Sequence, residues 1–246
     1  MNIYNFFVAH PEPNSDLDVA QAYPELRDWI SVRGRLERCG GRAGKVIKFN
    51  EKKYSKEIQL GLIDAVELFS ARRWDKDDCR EILNCDFSAI LSKEKLLLTG
   101  SVEKITLQQL TESFFELAMI SGTQDYAYGY KESHAYGFGY AVGIHMVDEG
   151  HPLMWPRRSE AGAWVKLQWA GKTDLFIRDI YPVNLFSTRK ISALPPRKRQ
   201  ALECAMGKFG GCETRGKFTV WALDDHELED VRAELKSVEL LASYCS

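Results

Sequence analysis

The run YAYGYKESHAYGFGYAVGIHM, residues 126–146, decides how the chain is read. Its first limb, Tyr126 to Tyr130, alternates aromatic with small residues. Its second limb puts Tyr136, Phe138, Tyr140, Val142, Ile144 and Met146 on one parity, and Gly137, Gly139, Ala141, Gly143 and His145 on the other. Successive side chains of extended backbone point to opposite faces, so period-two alternation of this kind predicts a strand. Two such limbs joined by Lys131–His134 predict a β-hairpin. A face built from glycine and alanine predicts that another backbone, a helix or a ligand approaches closely there.

Upstream, Thr106 and Gln109 form a capping-box pattern, the threonine oxygen accepting an orphan amide and the glutamine reaching back. Leu110, Phe114, Leu117, Ala118 and Ser121 then share one helical face, which predicts a core helix over Leu107–Ser121 ended by Gly122. Strands are expected at Met1–Val8, Val46–Phe49, Ala65–Arg73 and Lys95–Gly100. Helices are expected after Asn14-Ser15-Asp16 and at Lys76–Leu83, and the charged stretch Glu51–Lys56 reads as a surface loop. Downstream, Trp164–Trp169 and Asp174–Tyr181 read as paired strands, Arg197–Lys208 as a helix and Phe218–Leu223 as the last strand. Asp224 or Asp225 is expected to cap a final helix carrying Leu228, Val231, Leu235, Val238 and Ala242 on one stripe.

Strands and helices are thus intermingled without the β-α-β rhythm of a parallel sheet. The predicted class is α+β, with mostly antiparallel sheet packed against a few helices. The 246 residues are read as one domain over 1–246, the polar, proline-containing stretch 147–162 being where two sub-lobes would divide. With 45% hydrophobic residues, a chain of this length buries roughly 70–75% of the surface its unfolded form exposes, enough for a core without disulfide or metal.

The 33 basic and 35 acidic residues nearly cancel, leaving a formal charge of −2. That balance gives no global attraction to nucleic acid or to an anionic membrane. No stretch approaches the ~20 apolar residues of a membrane span, and the N-terminal run lacks the basic region of a signal peptide. A cytoplasmic protein is expected. Cys39, Cys79, Cys85, Cys204, Cys212 and Cys245 form no C-x-x-C pair, so reduced thiols are expected and zinc-ribbon spacing is absent.

Several groups invite a chemical reading. Tyr136 to Gly143 partly matches the aromatic strand motif of RNA-recognition domains, in which exposed rings stack on bases at about 1–3 kcal/mol each. Tyrosine replaces the leading cation, however, and glycine the final aromatic. His145, Asp148, Glu149 and His151 cluster within one loop, but no helical i,i+4 spacing holds them as metal ligands. Arg197-Lys198-Arg199 reads as the solvated start of a helix. Arg178-Asp179 precedes Tyr181-Pro182 at the end of a hydrophobic segment and reads as an ion pair closing a strand. No glycine-rich phosphate loop and no G-x-S-x-G elbow is present. No catalytic residue, metal ligand or cofactor is assigned.

The run Leu175-Phe176-Ile177-Arg178-Asp179-Ile180-Tyr181-Pro182-Val183-Asn184-Leu185, followed by a helical segment, a strand centred on Trp221 and an acidic-capped terminal helix, is similar to the C-terminal part of bacterial α+β immunity proteins, which are encoded beside secreted toxins. The glycine-tyrosine hairpin fits the same likeness, which covers roughly residues 125–242. The resemblance implies a stoichiometric inhibitor that binds one protein partner, a toxin, and occludes it. Such a surface needs aromatic or arginine anchors ringed by polar groups. Trp74, Arg72, Arg73, Trp155, Arg157 and Arg158, all in or near predicted loops, are the candidates. Two other functions stand beside this one: a nucleic-acid-binding module using the aromatic hairpin 126–146, and an unrecognised hydrolase around His145 and His151.

Overall fold

Leu96-Leu97-Leu98 and Tyr4 to Ala9 show no polar parity, as expected of strands covered on both faces. In the computed structural model they lie side by side. The structure describes residues 3–42, 45–70, 85–142 and 158–242. Contacts divide the chain into two compact units, Met1–Gln124 with Lys131–His134, and Asp125–Tyr130 with Ala135–Ser246.

The first unit holds strands β1 (Ile3–Pro11), β2 (Leu36–Arg42), β3 (Lys45–Lys48), β4 (Val66–Ser70), β5 (Phe87–Leu91) and β6 (Leu96–Ser101), in the spatial order β3-β2-β4-β5-β6-β1. Every ladder in that series is antiparallel. Helix α1 (Val19–Ser31) begins at Asp18, whose carboxylate accepts the Ala20 amide at 2.8 Å. It buries Val19, Ala22, Tyr23, Leu26, Trp29 and Ile30, the stripe of a 3.6-residue period. Trp29 meets Phe87 edge-on at 6.2 Å between ring centroids.

Helix α3 (Leu107–Glu116) carries the predicted capping box. Gln109 N donates to Thr106 Oγ1 at 3.1 Å, and Thr106 N to Gln109 Oε1 at 2.9 Å. The helix stops earlier than the sequence suggests. Leu117 leaves helical geometry, and a separate turn α4 (Ala118–Thr123) follows, its first amides received by Glu25 through Met119 N at 3.1 Å and Ile120 N at 3.4 Å. The charged stretch after Asn50 is not a loop but helix α2 (Glu51–Gln59). Asn50 accepts the Lys53 amide at 3.1 Å, and Tyr54 and Ile58, four residues apart, bury one side of it.

In the second unit, strand β7 (Gln124–Ser133) contributes Tyr126–Gly129 to a ladder with β8 (Val183–Ser187). β8 continues into β10 (Phe218–Ala222), and β10 into β9 (Gly211–Arg215). These ladders too are antiparallel, so the class is α+β as the sequence implies. Around them lie α5 (His134–Val142), α6 (Arg158–Trp169), α7 (Thr188–Ala193), α8 (Pro196–Lys208) and α9 (Leu228–Lys236). Trp221, Leu202, Val231, Leu235 and Leu241 are fully buried there.

Four expectations are overturned in this unit. The alternating run is helical over His134–Val142, not the second limb of a hairpin, and its remainder, 143–146, lies outside the described residues. Trp164–Trp169 is the end of α6. Asp174–Tyr181 forms no ladder strand: a 3-10 turn at Thr173–Leu175 opens it, and a single bridge joins Ile177 to Leu241. The strand comes after Pro182 instead. Helix α9 begins after Glu227 without a side-chain cap from either aspartate and ends at Lys236, short of Val238 and Ala242; the Glu227 carboxylate instead accepts the amides of Asp224 and Gly210, each at 2.9 Å.

Candidate functional site

Among the described residues of the second unit, Arg178 is the least exposed charged side chain. It is 1% exposed, and its Nε donates to Glu160 Oε1 at 2.9 Å, with Glu160 at 2%. Nη1 donates to the Tyr128 hydroxyl at 2.5 Å and Nη2 to the Tyr140 carbonyl at 2.7 Å. Glu160 in turn accepts the Tyr140 hydroxyl at 2.6 Å through Oε2, and Tyr140 and Tyr181 share a hydrogen bond of 2.6 Å. Tyr128 stacks on Tyr181 at 4.2 Å, and the guanidinium lies 4.1 Å from the centre of the Tyr140 ring.

Burial pushes the Tyr181 hydroxyl well above the ordinary phenol range and Tyr128 up to about 12, the Arg178 charge holding the latter down. Burial opposes the Arg178 charge, but its phenol neighbours and Glu160 outweigh that and raise its pKa. The result is a neutral phenol shell around a paired cation and anion. Arg178 and Asp179 do not close a strand against each other. Asp179 turns to Arg232, whose Nε donates to its carboxylate at 3.0 Å.

A second cluster links Asp125, Asp174, Ser187, Arg189 and Lys190. Arg189 bridges Asp125 and Asp174, the latter at 2.6 Å, and Ser187 donates to Asp125. Hydrogen bonding to Arg189 holds the Asp174 carboxyl below the usual range. Buried Lys190 donates to the carbonyls of Thr173 and Phe176, the second at 2.7 Å, and desolvation lowers its pKa to about 8. These bonds tie the 3-10 turn to α7. Both clusters fasten segments of chain together; the first is closed to solvent, while Arg189 and Asp174 of the second are each 35% exposed.

Accessible hollows lie in the first unit, one of them polar and lined by Arg33, Lys104, Gln109, Glu112 and Glu116. Between α2 and the β2–β3 hairpin runs a groove of two adjoining lobes, about 410 Å³ and 270 Å³, that share Cys39, Ile47, Lys53, Tyr54 and Glu57. Phe49 closes one lobe and Ile63 the other. The Tyr54 hydroxyl donates to the Gly40 carbonyl at 2.6 Å and accepts the Glu67 amide at 3.1 Å, which anchors the helix to the last register pair of β2 and β4. A Cβ at Gly40 would fall 2.1 Å from Glu67 Oε2, so a side chain there would displace that carboxylate. Burial pushes the Glu67 carboxyl pKa up and the Cys39 thiol to about 11, so this thiol is protonated at neutral pH. Ile47, on the outermost strand, is 44% exposed. Lys45, Lys48 and Lys53 rim the groove. An apolar floor with a charged border is the composition of a binding surface.

Of the residues singled out from the sequence, Trp74, Arg72, Arg73, Trp155 and Arg157 lie outside the described residues, as do His145, Asp148, Glu149 and His151. Arg158 begins α6, its side chain likewise outside. Tyr136, Phe138 and Tyr140 fall on α5, where they cannot form the flat stacking platform of an RNA-recognition sheet, and Tyr140 is engaged by Glu160. In α8, Lys198 sits 3.6 Å over the Phe176 ring. Glu160, Arg232, Lys190 and the groove were not singled out. Glu160 carries no local signal because its partners are 18 and 20 positions away. Nor does the groove have one, since Ile47 stands between Val46 and Lys48 in a run read simply as a strand.

Among the described residues, no group of histidine, cysteine and carboxylate side chains is placed to hold a metal ion. Nor is any helix there long and apolar enough to cross a membrane. No protein-family model matches the chain, and no curated protein matches it. Solved structures that match include a T6SS protein of Pseudomonas aeruginosa, 11% identical, aligned over 97% of this chain and 73% of that one, with a TM-score of 0.47. A likeness at that score carries no argument about fold or function.

Proposed function

We propose that the chain is a protein-binding inhibitor of the immunity type, which neutralises a bacterial toxin by occluding it. One contrast carries the reading. The convergent ionisable groups, Arg178, Glu160 and Asp179, are paired within the protein and closed to solvent, whereas the groove beside α2 is open, with apolar walls and a rim of Lys45, Lys48, Lys53 and Glu57. A surface of that kind acts by shape and charge rather than by bond-making. Binding energy at such surfaces concentrates in a few aromatic and arginine anchors. Trp74, Arg72, Arg73, Trp155, Arg157 and Arg158 are proposed for that role.

The test is co-expression with the secreted toxin encoded beside the chain's own gene. Growth should be restored, and the two proteins should co-elute as a stoichiometric complex. Undiminished toxicity without a complex would overturn the proposal. With the complex in hand, alanine at Trp74 or Trp155 is expected to weaken it by about 2 kcal/mol or more if either is an anchor, read by calorimetry.

A further inference from the structure

The groove opens beside β3, which ends the strand order of its unit. We infer that β3 is a strand acceptor: it takes an extended acidic segment of the partner protein as an added antiparallel strand, with one apolar side chain seated opposite Ile47 beside the groove. This rests on, and deepens, the protein-binding reading above.

Three observations lead there. The first is the backbone. Phe49 N donates to Glu37 O at 2.7 Å, so by the alternation of an antiparallel ladder the peptide groups of Phe49 and Ile47 face β2. Those of Val46 and Lys48 therefore face away from it. They form a short row of free donors and acceptors, the template that strand addition uses.

The second is the side-chain pattern. Ile47 lies on the same face as its register partner Cys39 and contributes to both lobes of the groove. An incoming residue opposite Ile47 would extend that apolar wall and cover its exposed surface.

The third is charge, which selects the occupant. Lys48 stands directly opposite Arg38 in the ladder, a like-charge juxtaposition that an acid on the free side would relieve. Neither Lys45 nor Lys48 makes an ion pair among the described residues. A second copy of the chain supplies no acid: in the register that pairs the outward-facing peptides of Val46 with those of Lys48, the two Ile47 side chains meet, but Lys48 of each copy lies diagonal to that of the other on one face. Charge complementarity therefore selects a strand with acids opposite positions 48 and 45 and an apolar residue opposite 47.

The probe is a blocked peptide with the core Thr-Glu-Ile-Thr-Glu-Thr, titrated into the full chain and followed by amide shifts and hydrogen exchange. Binding should protect the Val46 and Lys48 amides and weaken with salt. Replacing both glutamates by lysine should weaken it about tenfold or more, roughly 1.4 kcal/mol. Val46→Pro removes an outward-facing donor without touching the ladder to β2, so it should abolish binding and leave the fold intact. Lys45→Glu with Lys48→Glu should reverse the preference in favour of the lysine peptide. No binding to the natural chain, equal binding by Val46→Pro, or β3-dependent dimers in sedimentation would overturn the inference. A toxin complex unaffected by Val46→Pro would also overturn it while leaving the inhibitor reading standing. Peptide binding without any toxin complex would do the reverse.

Discussion

Arg178 and Glu160 sit together at almost complete burial, and each is tolerable there only because of the other. A carboxylate taken out of water costs several kcal/mol, which its partner and the Tyr140 hydroxyl offset. Arg178→Met strands Glu160 and should lower the unfolding free energy by about 3–5 kcal/mol in urea titrations. Adding Glu160→Leu should recover most of that loss, because no uncompensated charge then remains. A loss below about 1 kcal/mol for the single variant would show that water reaches the site. The sequence marked Arg178-Asp179 as unusual, yet not that the two residues diverge to separate partners. Neighbours in sequence with opposite charge look like a pair, but on extended backbone they point to opposite sides.

Helix α3 is an element whose beginning is a local matter. Thr106 and Gln109 satisfy each other's amides within one turn, so their identities suffice. Thr106→Ala should cost about 1 kcal/mol, seen as a lower melting temperature, and Thr106→Ser should retain most of it. The end of α3 is not local, because Glu25 of α1 receives the amides that open α4. Helix α5 is the opposite case. Its alternation of aromatic and small residues satisfies the strand template, and each glycine inside a helix costs roughly 0.5–1 kcal/mol against alanine. The helix stands because distant groups hold it. Tyr130 donates to the Gly137 carbonyl at 2.6 Å, Arg178 donates to the Tyr140 carbonyl at 2.7 Å, and Tyr140 is buried. In α2 a run of charges concealed the two apolar residues that matter, Tyr54 and Ile58.

At the scale of the whole molecule, one buried cation leaves a signature in stability against pH. Lys190 titrates near 8 in the folded protein and at about 10.4 in an unfolded chain. Below pH 8 it is charged in both states, and burial, partly countered by Asp125 and Asp174 and reinforced by Arg189, acts against the fold in full. Between pH 8 and 10.5 the unfolded chain binds more protons, so this contribution makes stability rise with pH. Cys39 and the buried tyrosines, whose folded pKa values are raised, act in the opposite sense at alkaline pH. The comparison with Lys190→Met isolates the effect, since those groups are common to both proteins. From pH 8 to 10.5 the unfolding free energy of the natural chain should gain about 3 kcal/mol relative to the variant. A difference constant with pH would show that Lys190 is not desolvated.

The α3 cap, the buried strands β1 and β6, the existence of helices α8 and α9, and the antiparallel α+β class were readable from the chain alone, whereas the equally local helix α2 was hidden by its run of charges. A capping bond spans three positions, and an apolar run without polar parity has few places to go in water. Tertiary structure alone decided that 134–142 is helical, that Glu160 is the partner of Arg178, and that Ile47 lies on an open edge beside a groove. Those outcomes rest on groups brought together from far along the chain, and their free energy exceeds the few tenths to one kcal/mol per residue by which local preference speaks.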